Sequence, residues 1–221
     1  MVIDLQQIDA SGAQQGFLLS KDRSPYCRAQ VGNLNRMQGI SLQFSKKEPL
    51  CGSFEPPALK DCIPLLHWLG VERCSRRLRV ETDGGTVAHF AYSRHGFCKS
   101  CYRITLSGGE EILCYLHASN SFSYLCFYKD GVQIALAETY LVSTNGAYNH
   151  KLYLLDEYGA HADICALLVL HHANHTLTKS LSAQNHTVYH HVLSFSRYTC
   201  KFDPTWRERH FPKENFWGRM L

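Results

Sequence analysis

The chain has 221 residues, of which 45% are hydrophobic and 12% aromatic, a globular composition with enough apolar side chains for a real core. Its formal charge of +4 lacks the concentrated basic stripe that nucleic-acid binding requires, so no nucleic-acid partner is expected. No uninterrupted apolar run approaches the ~18–20 residues of a spanning helix, so no transmembrane segment is expected either.

The opening MVIDLQQIDASG has an acid at position 4 and no basic stretch leading into an apolar one, which argues against a signal peptide. Ten cysteines are present, and Cys114, Cys126 and Cys165 sit inside apolar runs, where a free thiol behaves as a small hydrophobe. Together these features lead to the expectation of a reducing, cytoplasmic setting, free or peripheral to a membrane. GISLQFSKKEPLCGSF, ending at Phe54, reads as strand, turn, strand, with Pro49 restricting the second arm to a sheet edge. Residues 55–77 are broken by Pro56, Pro57 and Pro64. Leu65, Leu66, Trp68 and Leu69 predict a short apolar helix or turn there, a capping loop with a ligand lid as the alternative.

The middle of the chain is a succession of hairpins. Residues 77–92 turn at Asp83-Gly84-Gly85, residues 101–116 at Ser107-Gly108-Gly109 and residues 123–138 at Asp130-Gly131. Glycine supplies the positive φ that tight hairpin turns need. Within the arms, Tyr102, Ile104 and Leu106 share one face and Arg103 and Thr105 the other, the period of a half-buried strand. A further unit, residues 149–164, begins as a strand and turns near Asp156–Gly159. The middle is therefore predicted to be an antiparallel meander.

DICALLVLHHANH, residues 163–175, follows. Asp163 suits a helix start, and Ile164 to Leu170 leave no polar face over two turns; a buried strand is the alternative, and the Ala-Leu-Leu content favours the helix. Such a helix must be enclosed on all sides, so Ile164, Leu167, Leu168 and Leu170 are expected to be buried. His172 or His175 should emerge into solvent.

This order of short hairpins with Asp-Gly or Gly-Gly turns, then YNHKLYLLDE, then the apolar ICALLVL, resembles the Tubby C-terminal-like superfamily. That group includes the LURP-one-related proteins and the phospholipid scramblases. The resemblance covers about residues 75–174 and implies a closed barrel of roughly twelve strands threaded by a hydrophobic helix. It also implies a membrane-lipid ligand, although no residue-by-residue match to basic lipid-binding positions accompanies it, and the chain continues beyond the helix from Thr176. The expected fold is thus mostly β: a meander closing into a barrel around a central helix at about 163–174, the domain spanning 1–175. A C-terminal extension, 176–221, packs on the barrel or contacts a partner.

Four constellations are candidates for chemistry or contact. His171 and His175 are one helical turn apart, the way a helix presents two zinc or nickel ligands, with His150, His161 or Cys165 as candidate third ligands. The glutamate of a helix-borne protease is missing, since His172 follows His171, and the plainer reading is a helix C-terminus dressed in imidazoles. Cys98 and Cys101 form a CxxC beside His95, but no second CxxC completes a zinc site, and structural thiols are the alternative. His186, His190 and His191 alternate like residues of a strand. In the tail, Trp206, Phe211, Phe216 and Trp217 lie among Arg197, Lys201, Arg207, Arg209, Lys213 and Arg219. Aromatic rings beside arginine suit a protein interface or an anionic lipid surface, so Trp206, Arg207, Arg209, Phe216 and Trp217 are candidate contact residues. Asp203-Pro204 is placed to start a short helix there.

No GxSxG, phosphate-binding loop or dinucleotide fingerprint is present, so the expected role is non-catalytic binding or scaffolding, with a protein partner or anionic lipid and no cofactor. The alternative is a metal-binding protein or enzyme using zinc at His171/His175 or Cys98/Cys101.

Overall fold

Twelve antiparallel strands pair in sequence order, and the twelfth returns to the first to close a barrel. The computed structural model describes residues 1–9, 14–32, 39–45, 47–56, 58–63, 73–95, 99–118, 123–141, 148–181 and 202–212. The strands are β1 (Val2–Asp9), β2 (Gln14–Lys21), β3 (Ser24–Gly32), β4 (Ile40–Phe44), β5 (Leu50–Phe54) and β6 (Arg73–Thr82). They continue as β7 (Gly85–His95), β8 (Lys99–Leu106), β9 (Glu111–Ala118), β10 (Ser123–Lys129), β11 (Val132–Leu141) and β12 (Tyr148–Leu154). Helix α1 (Ala162–Leu181) follows, and a short α2 (Trp206–His210) lies in the C-terminal segment.

The three glycine-marked hairpins form as the sequence implies. At the β10–β11 turn, Asp130 (φ 51°) and Gly131 (φ 80°) both take the left-handed conformation that matches the twist of the flanking strands. On β8, Tyr102 and Ile104 are buried while Arg103 and Thr105 lie on the outer side. Every strand sends at least one side chain into a single internal core. Helix α1 completes that core, and each residue from Ile164 to Asn174 is buried. A helix apolar all round is stable only where it is surrounded, and the barrel provides that enclosure. Its start is held from the barrel side: Lys47 pairs with the Asp163 carboxylate, and the Tyr26 hydroxyl donates to it at 3.4 Å.

Several expectations are corrected. Pro49 does not make an edge strand, because β5 pairs with both β4 and β6, and the proline lies just before the strand's first residue. Asp156–His161 is not a hairpin turn but a 3-10 turn that leads from β12 into α1. The helix runs past residue 174 to Leu181. His172 is only 4% exposed and does not emerge, while the His175 side chain lies outside the described residues. Three strands occupy residues 2–32, where the sequence pattern was weak. Of the capping segment, Leu59–Cys62 forms a 3-10 turn, whereas Leu65, Leu66, Trp68 and Leu69 lie outside the described residues. That turn is pinned by Asp61, which accepts from the Cys74 N–H (2.9 Å) and the Arg77 guanidinium (2.7 Å). Burial alone would raise the Asp61 carboxyl, but these partners hold it below the usual carboxylate range.

No helix among the described residues is long and apolar enough to cross a membrane. Because Leu167 is fully enclosed, Leu167→Ala is expected to lose about 2–5 kcal/mol of stability in denaturant titration. Val132→Ala, at a half-exposed position, should stay within about 0.5 kcal/mol of the parent. Equal effects at the two sites would contradict the enclosed helix.

Candidate functional site

The polar residues midway along α1 meet a bulge in β6. Between Ser75 and Leu78 the register with β7 shifts, so that Arg76 and Arg77 together oppose one residue. Arg76 takes φ 51°, unusual for a residue with a Cβ, and the two arginines diverge. Arg77 reaches Asp61, whereas Arg76 reaches Tyr102. The Arg76 carbonyl accepts from His171 Nε2 at 3.0 Å, and its guanidinium donates to the Tyr102 hydroxyl at 2.9 Å while lying over the Tyr92 ring. With that hydroxyl already accepting, its proton points to His172 Nδ1, 3.1 Å away. Both imidazoles are thus assigned as neutral tautomers protonated on Nε2. Asn174 completes the set, its amide donating to the Gly32 carbonyl at 3.0 Å. His150, on β12, hydrogen-bonds Thr139 Oγ1 through Nδ1 (2.9 Å) and faces the Phe17 ring.

Burial dominates the protonation of these groups. It pushes His150 and His171 down to about 4 and His172 to about 3, the nearby Arg76 charge reinforcing the last two. Burial also pushes the Tyr102 hydroxyl up, Arg76 offsetting part of the effect, to about 12. None of these four groups changes charge near neutrality, where a general acid or base must titrate. What the cluster does is supply hydrogen-bond partners to the buried polar residues midway along α1.

Among the described residues the metal candidates do not gather into one site, and the His175 side chain lies outside them. His161 stands ten residues before His171, ~15 Å away along the helix, beside Lys129 Nζ. Cys165 lies between them, fully buried, and burial pushes its thiol well up, away from the thiolate a metal prefers. Cys101 is half-buried on β8, and Cys98, like His186, His190 and His191, lies outside the described residues. Among the described residues no group of three His, Cys, Asp or Glu side chains is gathered to hold a metal ion.

The tail candidates separate. Trp206 and Arg207 are 4% and 5% exposed, buried against the outside of the barrel. Arg209 stays exposed and pairs with Asp203, whose carboxylate also accepts from the Thr205 N–H (2.9 Å); Thr205, not Asp203, is the N-cap of the helix that begins at Trp206. Phe216 and Trp217 lie outside the described residues. Sequence reading missed the residue that receives Arg207: Glu138 on the outer face of β11, 3.8 Å from the guanidinium and accepting from the Tyr153 hydroxyl at 3.3 Å. Its only signal was an acid interrupting the apolar run IALAE. Burial raises the Glu138 carboxyl, with Arg207 and Tyr153 opposing the rise. Elsewhere on the surface an open groove of about 640 Å³ is lined by Asp4, Asp22, Arg23 and Lys151, mixing both signs of charge.

The buried histidines predict acid sensitivity with a definite sign. Unfolded, they take up protons near pH ~6.5; folded, they do not until about 4 or below. Their contribution is therefore fully present above pH ~6.5 and falls toward pH ~4, by up to ~1.4 kcal/mol per pH unit for each histidine. Denaturant midpoints should drop steeply from about pH 6.5 to 5, before most carboxylates titrate, and His150→Gln should flatten the slope. A flat profile in that window would rule out neutral buried histidines. Compared with known protein families, curated proteins and solved structures, the chain matches none.

Proposed function

We propose that this chain is a non-catalytic binding protein, a barrel of the Tubby-like kind whose contacts with a protein partner lie on its outside. The observation that carries this reading is the filled interior. Helix α1 and inward side chains from all twelve strands form one continuous core, so a ligand inside would have to displace packed side chains. The polar residues midway along the helix support the same view, since His171, His172, Tyr102 and Arg76 bond to one another.

The choice of protein over anionic lipid follows from the outer charges. Arg79 faces Glu55 and Glu81, Arg103 faces Glu111, and Lys129 faces Glu110. Lys47 is paired with Asp163 and Arg209 with Asp203. Each exposed pair adds little stability, but each cancels a charge that would draw an anionic surface. The lipid reading is favoured instead by the family resemblance, which rests on the order of meander and apolar helix.

Full-length protein mixed with vesicles of phosphatidylserine and phosphatidylcholine is expected to stay in the supernatant at low and high salt. Pelleting at low salt that is lost at high salt would replace the protein partner with a lipid. Elemental analysis of untagged protein is expected to find zinc well below one ion per chain. Stoichiometric zinc, with a melting temperature that falls in chelator, would instead support the metal-binding or enzymatic alternative at His171/His175 or Cys98/Cys101.

A further inference from the structure

A barrel exterior is ordinarily polar, yet the outer face of β10–β12 and the start of β1 carries a second apolar cluster. Val2, Cys126, Leu136 and Tyr153 form it, flanked by Tyr124 and Tyr128, and it is separate from the internal core. Residues 202–212 cover it. Phe202 lies flat on His117, with ring centroids 4.3 Å apart and planes 7° from parallel. Trp206 is buried in the cluster, and Phe211 packs on the Tyr153 ring at 5.3 Å. Between the rings, Arg207 meets Glu138 while leaning over Tyr153.

This contact has the anatomy of a docked ligand. The barrel's core is continuous without it. Its anchors, one tryptophan, one arginine and one phenylalanine within six residues, are of the types that dominate binding at interfaces. A charge pair set among apolar contacts reads the identity of what docks more than it strengthens docking. The 20 residues from 182 to 201 span at most ~70 Å, so tether length does not force the segment onto this face.

We propose that this face is a docking groove for a short helical segment of the form Trp-Arg-x-x-x-Phe. It is filled in cis by residues 202–212 and open to an external segment of the same chemistry when that turn lifts. The proposal rests on the reading of the chain as a binding protein and gives that reading a site and a partner chemistry. Tethering supplies the cis segment at high effective concentration, so an external segment competes only once the cis turn is weakened or outmatched.

The probe is a fluorescent peptide of residues 201–213, KFDPTWRERHFPK, titrated against the full-length chain by anisotropy. Trp206→Ala in the protein, which loosens the cis turn, is expected to bind the peptide about a hundredfold more tightly than the parent does. Adding Glu138→Arg should abolish that binding, and a peptide carrying Arg207→Glu should restore it. Binding indifferent to either change overturns the proposal. Hydrogen exchange on the unaltered protein decides independently, should Trp206→Ala not fold. The amides of 206–210 are expected to exchange at least about tenfold faster than those of 165–170, through local opening. Equal protection would make the turn an integral part of the barrel and overturn the groove. Failure of the peptide leaves the broader binding role standing, since the vesicle and zinc measurements decide that separately.

Discussion

A helix with no polar face cannot be stable at a surface, and a meander with one apolar face cannot be stable uncovered. In this chain each requirement is met by the other. Closure removes every sheet edge, so β5 is paired on both sides and Pro49 is accommodated because it stands before the strand's first residue. Enclosure also dictates what happens where the apolar run stops. Once His171, His172 and Asn174 lie inside, each needs a partner, because a buried polar group without a hydrogen bond is costly. The bulge at Arg76 meets part of that need: its carbonyl accepts from His171 and its guanidinium braces the Tyr102 hydroxyl that faces His172, while Asn174 donates to the Gly32 carbonyl.

The parts of the fold that could be read in the sequence are those encoded locally. Asp130-Gly131 marks its own turn, and Tyr102 and Ile104 announce their face by alternation. Ile164 to Leu170 declare an enclosed helix because no arrangement of that run offers water a polar side. The first three strands were hard to read for a physical reason. The turn between β2 and β3 is built from Asp22 and Arg23, both at positive φ, with no glycine to signal it. The burial of His172 was hidden by distance along the chain, because its partner Tyr102 is 70 positions away and the carbonyl that holds His171 is 95 positions away. In the tail, aromatic and basic residues were legible as a contact surface, but what they touch depends on Glu138, one outward side chain on a strand.

Inside and outside the barrel, polarity is handled in opposite ways. The internal histidines and tyrosine are kept neutral by burial, and they hold shape through directed hydrogen bonds. The external Glu138–Arg207 pair sits among aromatic rings, where burial raises the Glu138 carboxyl and Arg207 opposes the rise. One device fixes the fold, and the other suits an exchangeable contact.

The closing pairing of β1 with β12 also sets the order in which the molecule is made. Met1 and Leu154, 153 positions apart, are hydrogen-bonded, and the helix that fills the interior comes only after them. Pairings this distant form slowly, because the intervening chain must be organised first. As the chain leaves the ribosome, the inward side chains of β1 to β11 have nothing to cover them until residues 148–181 emerge. Sealing and filling are therefore one late event, and the open sheet that precedes it carries an uncovered apolar face of the kind that favours aggregation.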